Sequence, residues 1–142
     1  MTLFAWDSKK YDVLVEEMNH QHHHIVDAMN ALYDRSHVGA GKAELTRLLE
    51  HLETITVRHF REEEAMLARQ RYPQVELHKG IHARLLKELT SHKQEFAAGP
   101  GVFTKEFFDY LELWLRSHIM HNDRKYVEHF AQQARKEHRK AG

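Results

Sequence analysis

One segment of the sequence, which begins at His59 and ends at His82, carries two pairs of potential metal ligands on either side of a helix break. His59 and Glu63 are four residues apart, and His78 and His82 repeat that spacing. Because an α-helix turns about 100° per residue, the members of each pair lie on one helix face, one turn apart. Pro73 stands between the pairs and predicts two antiparallel helices that place the pairs opposite each other. The segment therefore predicts half of a metal centre.

The hydrophobic pattern predicts the fold that surrounds this segment. Apolar residues recur every three or four positions in four stretches, which Gly and Pro separate. We expect helices at about 18–37, 42–70, 73–97 and 103–121, with an arm at 1–17 and a C-terminal segment at 122–142. Asn19 is the expected N-cap of the first helix, and Pro73 is expected at the start of the third. The 142 residues, 42% of them hydrophobic, suffice for one domain spanning 1–142. The predicted fold is an all-α, up-down-up-down antiparallel four-helix bundle with an extended N-terminal arm and a short C-terminal helical tail.

Two further histidines on apolar stripes belong to the same end of this bundle. His22 lies near the start of the first helix, and His118 lies late in the fourth. A single histidine on such a stripe is more often a hydrogen-bonded core residue than a ligand. Five histidines and a glutamate at one depth would instead leave several buried polar groups, at roughly 1–3 kcal/mol for each unsatisfied group. A shared metal centre removes this cost and is the favoured interpretation.

The residue types limit which metals the centre could hold. Imidazole with a few carboxylates suits iron, zinc, copper or nickel, and the sequence has no cysteine to supply thiolates. Five histidines exceed the needs of one tetrahedral zinc, so two metals are expected, with Glu63 bridging them. Asp123 is the best second bridge. It follows His118 by five residues, about 140° around an ideal helix, so the pair requires a distorted helix.

With these positions in place, the chain resembles the hemerythrin family, and specifically the single-domain bacterial hemerythrins. The resemblance covers nearly the whole length and rests on four motifs, HQHHHIVDAMNAL, HFREEEAML, YPQVELHKGIH and WLRSHIMHNDRKY. All seven ligand positions of the family are filled by the expected residue type, namely His22, His59, Glu63, His78, His82, His118 and Asp123.

The resemblance implies a non-haem di-iron centre with unequal ligation. One iron would take His78, His82 and His118, and the other would take only His22 and His59. Glu63, Asp123 and an oxo or hydroxo group would bridge the two irons. The resemblance further implies reversible dioxygen binding at the open position of the second iron, for storage, delivery or sensing.

Apolar residues next to these positions are similar to the oxygen pocket of the family, although ordinary core packing is compatible with the same pattern. They are Ile25, Phe60, Trp114, Leu115 and Ile119. Tyr126 is either a hydrogen-bond donor to the centre or a half-exposed packing residue. By contrast, His20, His23 and His24 point to other faces of the first helix and are expected to form a surface patch. Glu62 and Glu64 are expected on a solvated face.

Composition weighs against several other classes of function. The 21 basic and 21 acidic residues cancel, so no broad positive field attracts nucleic acid. No run of about 18 apolar residues is present to span a membrane, and the first residues lack an apolar signal segment. We expect a soluble cytoplasmic protein. A sensing role would require a separate, unidentified protein partner.

Two alternatives remain beside dioxygen binding. One is a di-iron enzyme that acts on peroxide, nitric oxide or dioxygen. Ferritin-like oxidases bring two Glu-x-x-His elements into their core, whereas this sequence has one match, Glu17 to His20. We therefore expect a binding protein and not an enzyme. The other alternative is a structural zinc or mixed-metal site without a redox role.

Overall fold

The computed structural model describes residues 16–117 and 124–141. These residues form five helices and no strand. The helices are α1 (Glu16–His37), α2 (Lys42–Arg69), α3 (Val75–Ala98), α4 (Lys105–Arg116) and α5 (Arg124–Ala141). The predicted all-α four-helix bundle with a C-terminal helix is confirmed. In the described part of the chain, no helix is both long enough and apolar enough to cross a membrane.

The helix ends differ from the predicted bounds in two places. Helix α1 already includes Glu16, so Asn19 is a buried residue inside the helix and not its N-cap. Helix α3 begins at Val75 and not at Pro73. The backbone N–H of Val75 donates to the carbonyl oxygen of Tyr72 at 3.2 Å, which makes Pro73 the second residue of a β-turn. A proline φ near −65° suits this turn position as well as the first turn of a helix. Of the predicted arm at 1–17, residues 1–15 lie outside the described residues, and Glu16 and Glu17 belong to α1 and not to an arm.

Two apolar clusters hold the helices together. The larger one runs along the bundle and draws on α1, α2, α3 and α4, with Leu32, Leu52 and Leu111 among its fully buried members. The smaller one joins α5 to α1 and α2 and contains Met18, Met66, Leu67, Tyr72 and Tyr126. The predicted C-terminal helical tail is α5, which has 18 residues, and its fully buried Tyr126 packs on the bundle. This packing carries α5 to the bundle end where the predicted ligands lie.

Helix α4 is fixed at its start and along its length by side-chain hydrogen bonds. The Thr104 hydroxyl accepts from the backbone N–H of Phe107 at 3.2 Å and caps the helix. The Tyr110 hydroxyl donates to the carbonyl oxygen of Leu85 on α3 at 2.8 Å. Burial raises the pKa of Tyr110, and the carboxylate of Glu88 raises it further, so the hydroxyl keeps the proton that it donates.

The loop after α3 is tied to the start of α2 by Lys42 and Gly101. Lys42 Nζ donates to the carbonyl oxygens of Ala97 and Gly99, each at 2.8 Å. Gly101 has a φ of 85°, and a Cβ built on it would lie 2.7 Å from Lys42 Cβ. Both the backbone conformation and the close approach therefore favour glycine.

We expect Gly101→Ala to destabilise the bundle more than Gly39→Ala. Gly39 also has a positive φ, 79°, but a Cβ there meets no atom within 4 Å. The backbone strain alone should cost about 1–2 kcal/mol at either position. The contact with Lys42 should add about 1–3 kcal/mol at Gly101. Urea denaturation of both variants measures the difference, and equal losses would contradict the packing argument.

Candidate metal centre

Glu63 lies at the middle of the predicted site, and its two carboxylate oxygens face different histidine pairs. Oε1 is 2.6 Å from His78 Nε2 and 3.1 Å from His82 Nε2. Oε2 is 3.5 Å from His59 Nε2 and 4.0 Å from His22 Nε2. The carboxylate is fully buried. It therefore separates the four histidines into a pair on each side.

Helix geometry accounts for these positions. His59 and Glu63 are one turn apart on α2, and His78 and His82 are one turn apart on α3. His22 reaches the centre from α1, where its ring meets that of His59 edge to face with centroids 4.7 Å apart. All five side chains are buried. The structure thus brings together five of the seven predicted ligand positions.

The donor atoms form two groups that fit two metal ions. In each group, one donor atom from every residue lies within 4.8 Å of the others, and Glu63 belongs to both groups. Ligands bonded at about 2.0–2.2 Å stand roughly 3 Å apart around a metal, so small side-chain adjustments bring either group into coordination. Buried nitrogen donors with one shared carboxylate suit a transition metal better than magnesium or calcium. The donor set therefore fits two transition-metal ions.

In two of the histidines, the ring nitrogen that points away from Glu63 contacts a polar side chain that the sequence analysis did not predict. His82 Nδ1 lies 3.0 Å from Glu64 Oε2, and His59 Nδ1 lies 2.7 Å from Gln21 Oε1. The Gln21 amide nitrogen in turn donates to Glu62. Glu62 and Glu64 are therefore not simply a solvated face. The available signal was that a metal-binding histidine usually donates its second ring N–H to a carboxylate or carbonyl group.

Tyr126 contacts the same carboxylate from α5. Its hydroxyl donates to Glu63 Oε2 across 3.5 Å, at the long limit of a hydrogen bond, and its side chain is fully buried. Its ring centroid lies 5.9 Å from that of His78. Of the two alternatives for this residue, the half-exposed packing residue is wrong.

An apolar wall covers one side of the centre. The Phe60 ring stacks on the His82 ring with centroids 3.8 Å apart and an angle of 4° between the planes. The Trp114 ring meets Phe60 edge to face at 6.1 Å, and Trp114 and Ile25 are both buried. Three of the five predicted pocket residues, Ile25, Phe60 and Trp114, therefore belong to the larger apolar cluster, which contacts His82 through Phe60.

The remaining predicted site residues cannot be placed in this geometry. His118, Ile119 and Asp123, together with the side chain of Leu115, lie outside the described residues. His20 and His24 are exposed, as expected for a surface patch, and His23 is half-buried. Within the described part of the chain, none of these three belongs to either group of potential ligands.

Comparisons with known proteins agree with this site. The family described as hemerythrin HHE cation binding domain matches residues 13–130. "Bacteriohemerythrin" of Pseudomonas paraeruginosa is 30% identical over 114 residues, covering 80% of this chain and 73% of that protein. "Myohemerythrin-1" of Phascolopsis gouldii is 30% identical over 124 residues, covering 87% and 91%. A crystal structure of wild-type hemerythrin superposes with a TM-score of 0.81 at 26% identity, covering 89% of this chain and 96% of that chain.

Proposed function

Because this chain belongs to the hemerythrin family, we propose that it binds dioxygen reversibly at a pair of iron ions held in the centre around Glu63. Hemerythrin homologues are oxygen-binding proteins and not enzymes. The observation that carries the proposal is the division of the Glu63 carboxylate, which turns one oxygen to each histidine pair. A single carboxylate in this position can bridge two metals.

The proposed ligands divide unequally between the irons. His78, His82 and His118 would hold one iron, and His22 and His59 would hold the other. Glu63, Asp123 and an oxo or hydroxo group would bridge them. When bound, the iron pair supplies the electrons that dioxygen accepts on binding and returns on release.

The side chains around the centre favour reversible binding. Phe60 and Trp114 form an apolar wall beside His82, and such a wall would keep out water that promotes irreversible oxidation of iron. Gln21 and Glu64 orient the rings of His59 and His82 so that each Nε2 faces the centre. Tyr126 directs its hydroxyl at Glu63 and holds the carboxylate between the two histidine pairs.

The test is an anaerobic iron count followed by optical spectra on admitting and then removing oxygen. We expect about two irons per chain and a charge-transfer band that appears with oxygen and disappears without it. Prompt irreversible oxidation would favour the enzyme alternative, and a zinc-filled centre would favour a structural site. Storage, delivery and sensing share this chemistry, and the cytoplasmic location remains a prediction.

We expect His82→Ala to retain about one iron per chain. The substitution removes a nitrogen donor that lies 3.1 Å from Glu63 Oε1, and it leaves the His22 and His59 side intact. Metal analysis after anaerobic loading measures the loss. The exposed His24 provides the control, since His24→Ala should retain two irons. Two irons with an unchanged spectrum in His82→Ala would remove His82 from the ligand set.

A further inference from the structure

The Nδ1 atoms of His59 and His82 have partners of different charge. His82 Nδ1 faces the carboxylate of Glu64, and a carboxylate accepts hydrogen bonds but donates none. His59 Nδ1 faces the side-chain amide of Gln21, which offers both an acceptor oxygen and a donor nitrogen of nearly the same shape. Only the amide oxygen allows His59 to carry its proton on Nδ1 and keep the Nε2 lone pair for a metal. The orientation of this amide therefore decides whether His59 can act as a ligand.

Glu62 provides the contact that fixes the amide. The Gln21 amide nitrogen donates to Glu62 Oε2, and Arg58 Nε donates to Glu62 Oε1 at 3.2 Å. Both oxygens of Glu62 accept hydrogen bonds, so the amide nitrogen points toward Glu62 and the amide oxygen toward His59. The four residues form a hydrogen-bonded chain from the surface to a buried ring.

The chain lies in a cleft between α1 and α2. The cleft has a volume of about 180 Å³ and is lined by Gln21, His24, Arg58, His59 and Glu62, among others. The Glu62 side chain is 40% exposed, whereas His59 is 1% exposed. Substitutions at Gln21 and Glu62 therefore change the contact behind His59 without emptying the apolar core.

We propose that Gln21, oriented by Glu62, is the positioning residue that fixes His59 in the tautomer presenting Nε2 to the metal on the His22 side. The inference rests on the proposed function, because it assigns His59 to a two-metal centre. In this proposal, Glu62 selects the orientation of the Gln21 amide in which the amide oxygen faces His59. Arg58 supports that role by holding the second oxygen of Glu62.

Cobalt(II) titration of the metal-free protein, followed by visible absorption, tests the proposal. Gln21→Leu should weaken the binding of one of two cobalt ions by roughly 10- to 100-fold, the usual cost of losing an outer partner of a metal-binding histidine. Glu62→Leu should weaken the same ion less, because the amide then samples both orientations. His24 lines the same cleft but is not one of the four hydrogen-bonded residues. The His24→Leu variant should therefore bind both cobalt ions as the wild type does.

A swap of the two groups separates positioning from simple packing. Gln21→Glu alone sets two carboxylates against each other and should weaken the same cobalt ion. In the double variant Gln21→Glu/Glu62→Gln, the carboxylate at position 21 accepts from both His59 and the amide at position 62. We expect this variant to recover most of the lost affinity, whereas a packing role predicts losses that add. In the zinc-loaded protein, the proton resonance of His59 Nδ1–H should be protected from exchange in the wild type and in the swap variant.

The outcomes distinguish this inference from the proposed function. A wild-type protein that binds fewer than two cobalt ions would contradict the two-metal centre itself. Two ions in the wild type, with unchanged affinity in both leucine variants, would overturn the role of Gln21 and leave the centre standing. If Gln21→Leu fails to fold by circular dichroism, Glu62→Leu and the swap variant decide, and additive losses in the swap overturn the proposal.

Discussion

Glu63→Gln is expected to reduce the iron content from about two per chain to well below one. Glu63 belongs to both groups of potential ligands, and each of its oxygens faces one histidine pair. The glutamine side chain keeps the shape of glutamate but loses the negative charge, and its amide nitrogen has no lone pair available to coordinate a metal. The affinity loss should exceed the roughly 10- to 100-fold cost of removing an outer partner, and it should apply to both metals.

Metal analysis and circular dichroism of Glu63→Gln separate loss of metal from loss of fold. The helical signal should persist, because burying a charged carboxylate is itself costly and the neutral amide avoids that cost. Glu53→Gln is the matched control on α2. Glu53 lies away from the centre, and its Oε1 pairs with Lys93 Nζ at a distance of 3.2 Å. The control should retain both irons. Retention of both irons by Glu63→Gln would refute the shared carboxylate.

Phe60→Ala is expected to destabilise the protein by about 3–5 kcal/mol and to accelerate autoxidation. The Phe60 ring is buried, stacks on His82 at 3.8 Å and touches Trp114 edge to face. Its removal leaves a cavity beside the proposed ligand His82, and water that enters this cavity should reach the centre. Chemical denaturation gives the stability change, and the decay of the oxygenated spectrum gives the autoxidation rate.

Phe96→Ala is the matched control for the two effects. Phe96 is also buried and stacks on Phe103 at 4.0 Å, but it lies near the C-terminal end of α3, at the other end of the bundle from the centre. We expect a similar loss of stability with an autoxidation rate close to that of the wild type. Equal autoxidation rates in the two variants would show that Phe60 does not shield the centre.

Local spacing explains why much of this centre could be predicted. Four-residue intervals on α2 and α3 are a property of the helix itself, so the sequence alone predicts that His59 and Glu63 share a face, as do His78 and His82. Their convergence follows from the antiparallel connection between the helices, which the break near Pro73 indicates. His22 joins them because α1 runs alongside α2.

Contacts between helices explain what could not be predicted. Glu64 lies about 100° around α2 from Glu63, and a helical wheel places it beside the buried stripe without showing that it reaches His82 on α3. Gln21 depends in the same way on how α1 is rotated against α2. Pro73 was ambiguous because one φ value suits both a turn and a helix start.

Mössbauer and electron paramagnetic resonance spectra of the oxidised, iron-57-loaded protein test the central claim most directly. Two metals that share Glu63 and a further bridge should be magnetically coupled. We expect about two irons per chain with a diamagnetic ground state and no paramagnetic resonance signal. A single iron per chain, or the signal of isolated high-spin ferric ions, would contradict a centre in which one carboxylate joins two metals.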